Sequence, residues 1–542
     1  SYLSQPPGVW FVVCGLAIAW PLWKLPKLRW ITLASFLICA VLAEFGPGGG
    51  AENYWSPYQK LTLRPVRKGD KIVAYDLETN GAWYQEIMNL SSAAVSPPGS
   101  ADNDKARFNT YNLPFLLYPH PPTVLVLGAG TGNDVAAALL NGAGRVTAVE
   151  IDPVILRLGE RLHFDHPYSS PRVQLVVDDA RSYVQNSRGR FDLIIFSLLD
   201  SHITNNYYSN IRIDNYVYTA EAMRAAMRLL KPDGLIIVRF AAETPWIAGR
   251  LRGLLSAAFG RSPVYFGDVG RVFVAGSEKR IKQALANPMV AAYVASHRTT
   301  IEPAPLTTDD WPYFYQRAPG LPASIVLISV VIVLMCWLFM RKTGAELHSI
   351  RWHFFFLGAG FMLLETQIVS RMALLFGTTW MVNSVVIAGV MIFIVCANLL
   401  VEWKPLTPVG AAYAGIFVSI AAAFAIPLES FFFSSFWMKA LAATVVLCLP
   451  VFFAGIVFIR SFAAARFGGM ALGSNLIGAV IGGLLESLSL WTGIRSLLVV
   501  AAVLYAASWV AMKKQAAIEE DSRPEDGIAN DRARSLTTQI VN

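Results

Sequence analysis

Charged residues are scarce in this chain. Only 15% of its 542 positions are Asp, Glu, Lys or Arg, whereas 54% are hydrophobic, and the mean hydropathy is +0.45. This composition is far more apolar than that of an ordinary soluble globular protein and predicts a multipass membrane protein. Runs long enough to cross a hydrocarbon core of roughly 30 Å lie near 8–23, 29–45, 322–340, 352–375, 380–402, 408–427, 438–460, 468–490 and 494–511.

Cysteine is equally scarce. The chain has five cysteines, no two of which form a CxxC pair. All of them fall inside the apolar runs: Cys14, Cys39, Cys336, Cys396 and Cys448. Neither a disulfide framework nor a zinc site is indicated, and we expect no metal.

The net charge of +8 does not by itself indicate a nucleic-acid partner. Much of the excess lies beside the apolar runs, as at Lys24, Lys27 and Arg29, and it does not form one basic face interleaved with aromatic residues. Basic residues in such places anchor helix ends and set their orientation. We therefore expect the lipid bilayer, and no nucleic acid, as a partner.

Charge, proline and turn residues return between about 46 and 318, which predicts a soluble domain inserted between membrane helices. The expected order is two transmembrane helices in 1–45, a β module and linker helix in 46–120, a Rossmann-like nucleoside-binding domain in 121–318, a transmembrane bundle in 319–515 and a polar tail in 516–542. The acidic and aromatic segment 307–313 is interpreted as a polar linker at the bilayer surface, with a lid over the site as the alternative.

Apolar blocks alternate with helical patterns from residue 124 onward. Strands are predicted at 124–128, 145–151, 173–177, 191–197, 234–240 and 270–275, and helices at 132–141, 153–163 and 219–230. Buried β-branched runs between helices imply a mostly parallel, doubly wound sheet, which binds ligands at the carboxyl ends of its strands. Before it, residues 60–90 predict strands with turns at Lys68-Gly-Asp70 and Thr79-Asn-Gly81.

A glycine-rich turn follows the first strand of this domain. Gly128, Gly130 and Gly132 lack side chains where the strand turns into a helix, which lets a ligand approach the backbone. Glu150 ends the second strand, where a carboxylate can accept both ribose hydroxyls, and Asp179 follows the third, placed to take an adenine amino hydrogen. These successive strand ends predict an adenosine site. The alternative is that the turns and acids only cap helices.

The fourth strand ends in Phe191-Asp-Leu-Ile-Ile-Phe-Ser-Leu-Leu-Asp200. Ser197 and Asp200 therefore reach the same edge of the sheet as the glycine turn. A carboxylate at this edge can hold an attacking amine or accept its proton. Helix capping is the alternative role for Asp200.

Residues 52–275 resemble the spermidine synthase (polyamine aminopropyltransferase) family. Trp55-Ser-Pro-Tyr-Gln-Lys-Leu61 is similar to its early Tyr-Gln segment, and Tyr111-Asn-Leu-Pro-Phe-Leu-Leu-Tyr-Pro-His120 to the helix before its glycine loop. The resemblance implies that Gln59, Glu150 and Asp179 contact the adenosylthio part of the ligand. It places Tyr111 near the acceptor amine.

The chain departs from the pattern of that family on the acceptor side. Where those synthases carry an aspartate in the glycine loop, which holds the cationic aminopropyl end of decarboxylated S-adenosylmethionine, this chain has Thr131. Their Asp-x-x-Asp catalytic pair is replaced by Ser197-x-x-Asp200. The loss of two carboxylates removes charge that recognises a polyamine, so we do not expect ordinary putrescine aminopropylation. Asp200 or Asp178 is the expected base.

The whole arrangement, with Phe354-Phe-Phe-Leu-Gly-Ala-Gly-Phe-Met-Leu-Leu-Glu365 in the membrane part, resembles the bacterial membrane-bound spermidine synthase-like proteins. The first hypothesis is a transferase that moves an aminopropyl, aminocarboxypropyl or methyl group from S-adenosylmethionine, or its decarboxylated form, to an amine or lipid-borne acceptor. The second is a non-catalytic binding or assembly subunit of a membrane complex. A third, a transporter with a sensory domain, rests on the helix count and on Glu365 inside an apolar run.

The expected location is the bacterial inner (plasma) membrane, and a homo-oligomer or membrane complex is the expected assembly. Nine spans, with basic residues retained on the cytoplasmic face, put the soluble domain outside the cytoplasm. S-adenosylmethionine is made in the cytosol, which favours the opposite side. Both alternatives stay open at this point.

Overall fold

The structure is a computed structural model that describes residues 5–44, 51–93, 110–199, 216–241, 244–268, 270–342, 350–376, 380–404, 408–431, 436–465 and 467–521. The chain divides into two compact units, one formed mainly by Ser1–Pro319 and the other by Gly320–Arg371 and Val385–Asn542. The first unit contains all the β-strands of the described residues, and the second is helical.

The first unit begins with two apolar helices and an antiparallel sheet. Their bounds are α1 Pro7–Ala19, α2 Pro26–Glu44, β1 Glu52–Trp55, β2 Lys60–Lys68, β3 Lys71–Thr79 and β4 Ala82–Ile87. The four strands pair in the order β1-β2-β3-β4. Asn80 and Gly81, with φ of +49° and +84°, join β3 to β4, as a two-residue hairpin loop with two positive φ values requires. The predicted hairpin is therefore present.

A seven-stranded sheet forms the rest of this unit. Its elements are α3 Leu90–Ala93, α4 Leu113–Leu117, β5 Thr123–Leu127, α5 Asn133–Leu140, β6 Arg145–Glu150, α6 Pro153–Leu162, β7 Val173–Val177, α7 Ala180–Asn186, β8 Phe191–Phe196, α8 Ala220–Arg228, β9 Leu230–Phe240, α9 Pro245–Phe259, β10 Val264–Asp268, β11 Gly270–Gly276, α10 Glu278–Leu285 and α11 Pro288–Ser296. The strand order is β10-β11-β9-β8-β5-β6-β7, and β11 alone runs antiparallel to its neighbours. The mostly parallel α/β fold is confirmed, whereas β10 was not predicted.

The central strands are buried on both faces because helices cover both sides of the sheet. Leu125 and Leu127 of β5 pack into one apolar cluster, whereas Val124 and Val126 pack into the other. Successive side chains of a strand point to opposite faces, so an uninterrupted apolar run fills two cores at once. The β module adds a third cluster, in which Leu61 packs with residues of α6.

The segment 307–313 is packed against the α/β domain. Asp309 accepts hydrogen bonds from Arg181 of α7 (2.7 Å) and from the Thr219 hydroxyl (2.7 Å). Arg250 of α9, which is fully buried, donates to the backbone oxygens of Pro305 (2.7 Å) and Arg317 (2.9 Å) on either side of the segment. Asp309 is thus paired with a buried arginine of the domain, and the linker and the lid both stay predictions.

The second unit is built from apolar helices. Their bounds are α12 Ala323–Lys342, α13 Trp352–Phe376, α14 Trp380–Trp403, α15 Val409–Ala425, α16 Phe436–Ala463, α17 Gly468–Leu485, α18 Ser489–Thr492 and α19 Ser496–Asp521. Over the described part of the whole chain, seven helical segments are long and apolar enough to cross a membrane, and α1 and α15 are shorter apolar helices. These nine segments correspond to the nine apolar runs of the sequence.

Candidate functional site

The carboxyl ends of four parallel strands meet at one edge of the seven-stranded sheet. The backbone N–H of Gly128, after β5, donates to Val149 O of β6 (2.9 Å), and Asp178 N–H, after β7, donates to Glu150 O (3.2 Å). Ser197 N–H, after β8, donates to the last residue of β5 (3.0 Å). The residues that follow these strands are thereby brought to one place, as the sequence predicted.

A cavity of about 80 Å³ lies at this edge. Four of the predicted site residues line it: Gly128, Glu150, Asp178 and Asp179. We call it the carboxylate cavity. The structure therefore brings the acidic residues after β6 and β7 together beside the glycine turn. Their contact with a ligand stays a prediction.

Glu150 is almost fully buried at the end of β6, with 3% of its surface exposed. Its Oε2 accepts the backbone N–H of Gly130 (2.9 Å), and its Oε1 accepts that of Asp152 (3.0 Å). Burial raises the pKa of the Glu150 carboxyl to about 7, and these N–H donors act against that rise. Each carboxylate oxygen has a second lone pair, so both can still accept a hydroxyl of a ligand.

Asp179 caps helix α7, since its Oδ1 accepts Ser182 N–H (2.9 Å). Capping was the structural alternative for this residue, and the cap is present. The neighbouring Asp178 is partly exposed, and its Oδ1 accepts Asp179 N–H (2.8 Å). A cap uses one oxygen of the carboxylate, so capping and ligand binding by Asp179 are compatible.

The β module supplies one rim of this edge. Burial raises the pKa of Tyr58 well above its usual range, and the charges of Asp152, Asp179, Glu150 and Asp178 add to the rise. This tyrosine is therefore close enough to the four carboxyl groups for their charges to act on it. Burial also raises the pKa of the Asp152 carboxyl, and hydrogen bonding from the side chains of Ser56 and Gln59 lowers it. The predicted ligand residue Gln59 thus lies beside the β6–α6 turn.

Two glycines of the turn are packed closely. A Cβ on Gly128 (φ +75°) would lie 2.1 Å from Leu199 Cδ2, and one on Gly130 (φ +57°) would lie 2.6 Å from Gln85 Oε1. Leu199 and Gln85 therefore occupy the space over the glycine turn. Pockets that hold drug-sized ligands measure about 300–1,000 Å³. The carboxylate cavity is smaller than these pockets, and Leu199 is one of the residues that line it.

Thr131, a predicted substrate residue, is fully buried. Its N–H and its hydroxyl both donate to Gln85 Oε1, at 3.1 and 3.0 Å. Gln85 also hydrogen-bonds to the phenol of Tyr111. A neutral amide from strand β4 therefore joins the predicted substrate residues Thr131 and Tyr111.

Tyr111 is held from its other side by a buried chain of polar groups. Asp165 N–H donates to His163 Nδ1 (3.1 Å), so the Nε2 of this neutral imidazole carries the proton and donates to Asn133 Oδ1 (3.1 Å). Burial lowers the pKa of His163 to about 4. The Asn133 amide then donates to Tyr111 Oη (3.1 Å). The position of the tyrosine hydroxyl is thereby fixed.

Ser197 does not face an open acceptor site. Its hydroxyl donates to Asp134 Oδ2 (2.8 Å), and Arg239 Nη2 donates to Asp134 Oδ1. All three side chains are 2–4% exposed. We call Asp134, Ser197 and Arg239 the Asp134 cluster. The Arg239 guanidinium also lies over the Tyr111 ring, 5.3 Å from its centroid.

The sequence interpretation missed Asp134, Arg239 and Gln85. Asp134 is a charged residue in the apolar helix α5, and Arg239 ends the apolar run of β9. A charge inside a buried element usually has a partner, which was the available signal. Gln85 sends no such signal from the sequence. The predicted Asp200 lies outside the described residues.

The third glycine of the turn, Gly132, is the N-cap residue before helix α5 and does not line the carboxylate cavity. Its N–H donates to Ala129 O (3.0 Å), so it shapes the turn. No group of three or more His, Cys, Asp or Glu side chains in the described ranges is arranged to hold a metal ion.

The chain is similar to the proteins of one family. Residues 110–252 match the Spermine/spermidine synthase domain. Polyamine aminopropyltransferase 2 of Hyperthermus butylicus is 30% identical over 222 residues, which are 38% of this chain and 68% of that protein. The polyamine aminopropyltransferase of Thermoanaerobacter sp. is 27% identical over 151 residues, 27% of this chain and 50% of that protein. The chain thus spans about half the length of several curated relatives that it matches.

Two solved structures are similar at low identity. A probable spermidine synthase from Corynebacterium glutamicum is 18% identical, with 48% of this chain and 98% of that chain covered and a TM-score of 0.33. The spermidine synthase from Thermotoga maritima is 17% identical, with 49% and 82% covered and a TM-score of 0.31. The fold assignment accordingly rests on the strand order of this chain.

Proposed function

Because this chain belongs to the polyamine aminopropyltransferase (spermidine synthase-like) family, we propose that it is a membrane-bound transferase that alkylates an amine or lipid-borne acceptor. The donor is S-adenosylmethionine or its decarboxylated form. The observation that carries the proposal is that Glu150 and Asp179, from neighbouring strand ends, line one cavity with Gly128. The seven long apolar helical segments support attachment to the bilayer.

The donor binds in the carboxylate cavity through its adenosine part. Glu150 accepts the ribose hydroxyls with the lone pairs that its backbone donors leave free, and Asp179 accepts from the adenine amino group. Gln59, beside Asp152, contacts the same part of the ligand from the β module. Binding moves Leu199 away from the glycine turn.

The bound donor supplies a carbon that is activated because it is bonded to a positively charged sulfonium sulfur. The acceptor nitrogen forms a bond to that carbon, the carbon–sulfur bond breaks, and the electron pair stays on the neutral thioether, which needs no proton. The protein holds the amine in line with the breaking bond. Asp178, which lines the carboxylate cavity and is partly exposed, accepts the proton that the amine loses.

The acceptor side disfavours a polyamine with several positive charges. Asp134 is neutralised by Arg239, and Thr131 is paired with the neutral Gln85. A dication would gain no unpaired carboxylate from these residues while losing its hydration. An acceptor with one reactive amine and an apolar body, such as an aminolipid, suits this side and the membrane location.

Binding of labelled donor to the purified full chain in detergent tests the first step. We expect saturable binding of S-adenosylmethionine or its decarboxylated form, and at least a tenfold higher Kd for Glu150→Ala, which is about 1.4 kcal/mol. Glu160→Ala, an exposed glutamate on α6, is the matched control and should leave the Kd unchanged. No binding, or equal binding by both variants, would contradict the proposal.

Product formation separates the transferase from a non-catalytic subunit. The packing of Leu199 over Gly128 favours the second function, because it narrows the cavity. Mass spectrometry of aminolipid and polyamine acceptors incubated with protein and donor should find an added group on the aminolipid, and less of it with Asp178→Asn. Donor binding without any transfer would support a binding subunit.

The side of the membrane is tested separately. The five cysteines of the chain are first replaced, and a single new cysteine is introduced by Gln174→Cys, at an exposed position on β7. Intact cells are then treated with a membrane-impermeant thiol reagent. A transferase that uses the cytosolic donor predicts protection until the cells are broken. Labelling of intact cells would place the α/β domain outside and favour the assembly role.

A further inference from the structure

A second cavity, of about 330 Å³, lies at the opposite edge of the seven-stranded sheet. It is found where β8 and β9 begin and where α7 and α8 end, and its lining includes Arg188, Arg190 and Arg228. We call it the arginine cavity. Strand β8 has six residues, so this edge is roughly 20 Å from the glycine turn. The arginine cavity is therefore separate from the carboxylate cavity.

All the charged side chains that line the arginine cavity are positive. All three arginines are exposed, and no acidic residue lines the cavity. Within the described part of the chain, none of the three forms an ion pair within 4 Å. Arg190 donates from Nη1 to Leu230 O (3.2 Å), which fixes one guanidinium at the cavity wall.

Neutralisation of the two helix ends does not account for three arginines. The C-terminus of a helix carries at most about half a negative charge, so the ends of α7 and α8 together offset about one of the three positive charges. A surplus of about two positive charges remains in a concave site. Such a site attracts an anion.

Neutral donors stand beside the arginines. The Gln185 carbonyl oxygen accepts from Arg181 Nη1 (2.9 Å), which leaves its amide NH₂ as a donor at the cavity. Ser187 Oγ accepts the N–H of Gly189 (3.2 Å), so its own O–H can donate. Donors of this kind, with guanidinium groups that offer paired N–H bonds, match the oxygens of a phosphoryl group.

We propose that the arginine cavity binds a phosphoryl group, carried by a soluble phosphate or by the headgroup of an anionic phospholipid. The cavity volume is at the lower end of the roughly 300–1,000 Å³ of small-molecule sites, which suits a phosphate with a small substituent. This proposal does not depend on donor binding in the carboxylate cavity.

The test uses the purified full chain in a neutral detergent and two probes, inorganic phosphate and dioctanoyl phosphatidylglycerol, measured by titration calorimetry. We expect one saturable site for at least one probe. Its Kd should rise at least tenfold in the Arg188→Gln/Arg228→Gln double variant, which keeps the Arg190 contact with the backbone. Arg224→Gln is the matched control, because Arg224 is an exposed arginine of α8 that pairs with Glu221 (3.8 Å).

Competition between the probes identifies the source of the phosphoryl group. Tighter binding of the lipid, with phosphate displaced by it, assigns a headgroup site, and the reverse assigns a site for soluble phosphate. A thermal melt of the double variant shows whether it folds. If it does not fold, the Arg188→Gln single variant replaces it, and we expect at least a threefold rise in its Kd. The absence of saturable binding of either probe, or an unchanged Kd in the variants, would overturn the proposal.

Discussion

The two sides of the candidate site differ in how their charges are matched. Glu150, Asp178 and Asp179 line the carboxylate cavity, and their charges raise the pKa of the partly buried Tyr58. In the Asp134 cluster, by contrast, the single carboxylate accepts hydrogen bonds from Arg239 and Ser197. The first side is equipped to bind hydroxyl and amino donors. On the second side, the carboxylate of Asp134 is already paired with a cation.

This difference is the basis of the proposed function. In the proposed function, the acceptors that line the carboxylate cavity bind the adenosine, whereas the carboxylate of Asp134 is already paired with Arg239. We propose that the spermidine synthase-like fold is here combined with an acceptor side whose described charges are paired.

The largest expected effect is on the Asp134 cluster. Arg239→Met leaves the carboxylate of Asp134 buried without its cation, which should lower the free energy of unfolding by about 3–5 kcal/mol. Thermal denaturation of the α/β domain within the full chain measures the loss. The Arg239→Met/Asp134→Leu double variant should regain most of it, because no charge is left unpaired.

Arg224→Met is the matched control, since Arg224 is exposed. Its effect should lie within about 0.5 kcal/mol of zero. If Arg239→Met lowers the free energy of unfolding no more than this control does, Asp134 does not depend on Arg239 as its partner.

The next effect is at the glycine turn. Gly128→Ala introduces a Cβ at φ +75° and 2.1 Å from Leu199 Cδ2, and should destabilise the domain by about 2–3 kcal/mol. Gly81→Ala at φ +84°, with no atom within 4 Å of the added Cβ, measures the backbone strain alone. The difference in lost stability between the two variants measures the steric clash with Leu199. The Gly128→Ala/Leu199→Ala double variant should remove this difference. Equal losses in both single variants would show that Leu199 does not fill the turn.

Donor affinity should depend on pH through Glu150. Burial raises its pKa from 4.5 to about 7, and only the ionised carboxylate accepts both ribose hydroxyls. The Kd should therefore fall about tenfold between pH 6 and pH 8, and Glu150→Gln should flatten this dependence. Calorimetric titration with the donor at both pH values measures it. A Kd that rises with pH in the unmodified chain would contradict the role of Glu150.

The same shift affects stability in a defined direction. A carboxyl whose pKa is higher in the folded state binds its proton more tightly there, so it favours folding below about pH 4.5, and this stability is lost as the pH rises to about 7. Glu150→Gln should therefore lose less stability than the unmodified chain over this interval. Thermal denaturation across the interval provides the comparison.

The smallest effect is expected at Gln85. Gln85→Ala removes the acceptor of the Thr131 N–H and hydroxyl and should cost about 1 kcal/mol of stability. Gln174→Ala, at an exposed position on β7, is the control and should change little. A Gln85→Ala variant as stable as this control would mean that water replaces the amide.

Much of the first side of the site was predictable from the sequence. Gly128 and Asp179 follow apolar strands and Glu150 ends one, and parallel strands bring these ends to one edge. Local spacing therefore implied spatial proximity. The tight packing of Leu199 on the glycine turn was not predictable, because it depends on how the chain leaves β8 and not on any motif.

The second side was not predictable for a related reason. Gln85, Asp134 and Arg239 come from a strand of the β module, a helix and a strand of the other sheet, and no spacing rule connects them. Their contacts exist only after the two sheets have packed together. Asp309 illustrates the same limit, since its buried partner Arg181 lies far away in sequence.

The most direct test is a structure of the full chain determined with the adenosyl donor or its thioether product. We expect density for the nucleoside in the carboxylate cavity, with ribose hydroxyl oxygens about 2.6–3.2 Å from the Glu150 carboxylate and Leu199 displaced from Gly128. A nucleoside bound elsewhere, or a cavity still filled by Leu199 at saturating ligand, would contradict this expectation.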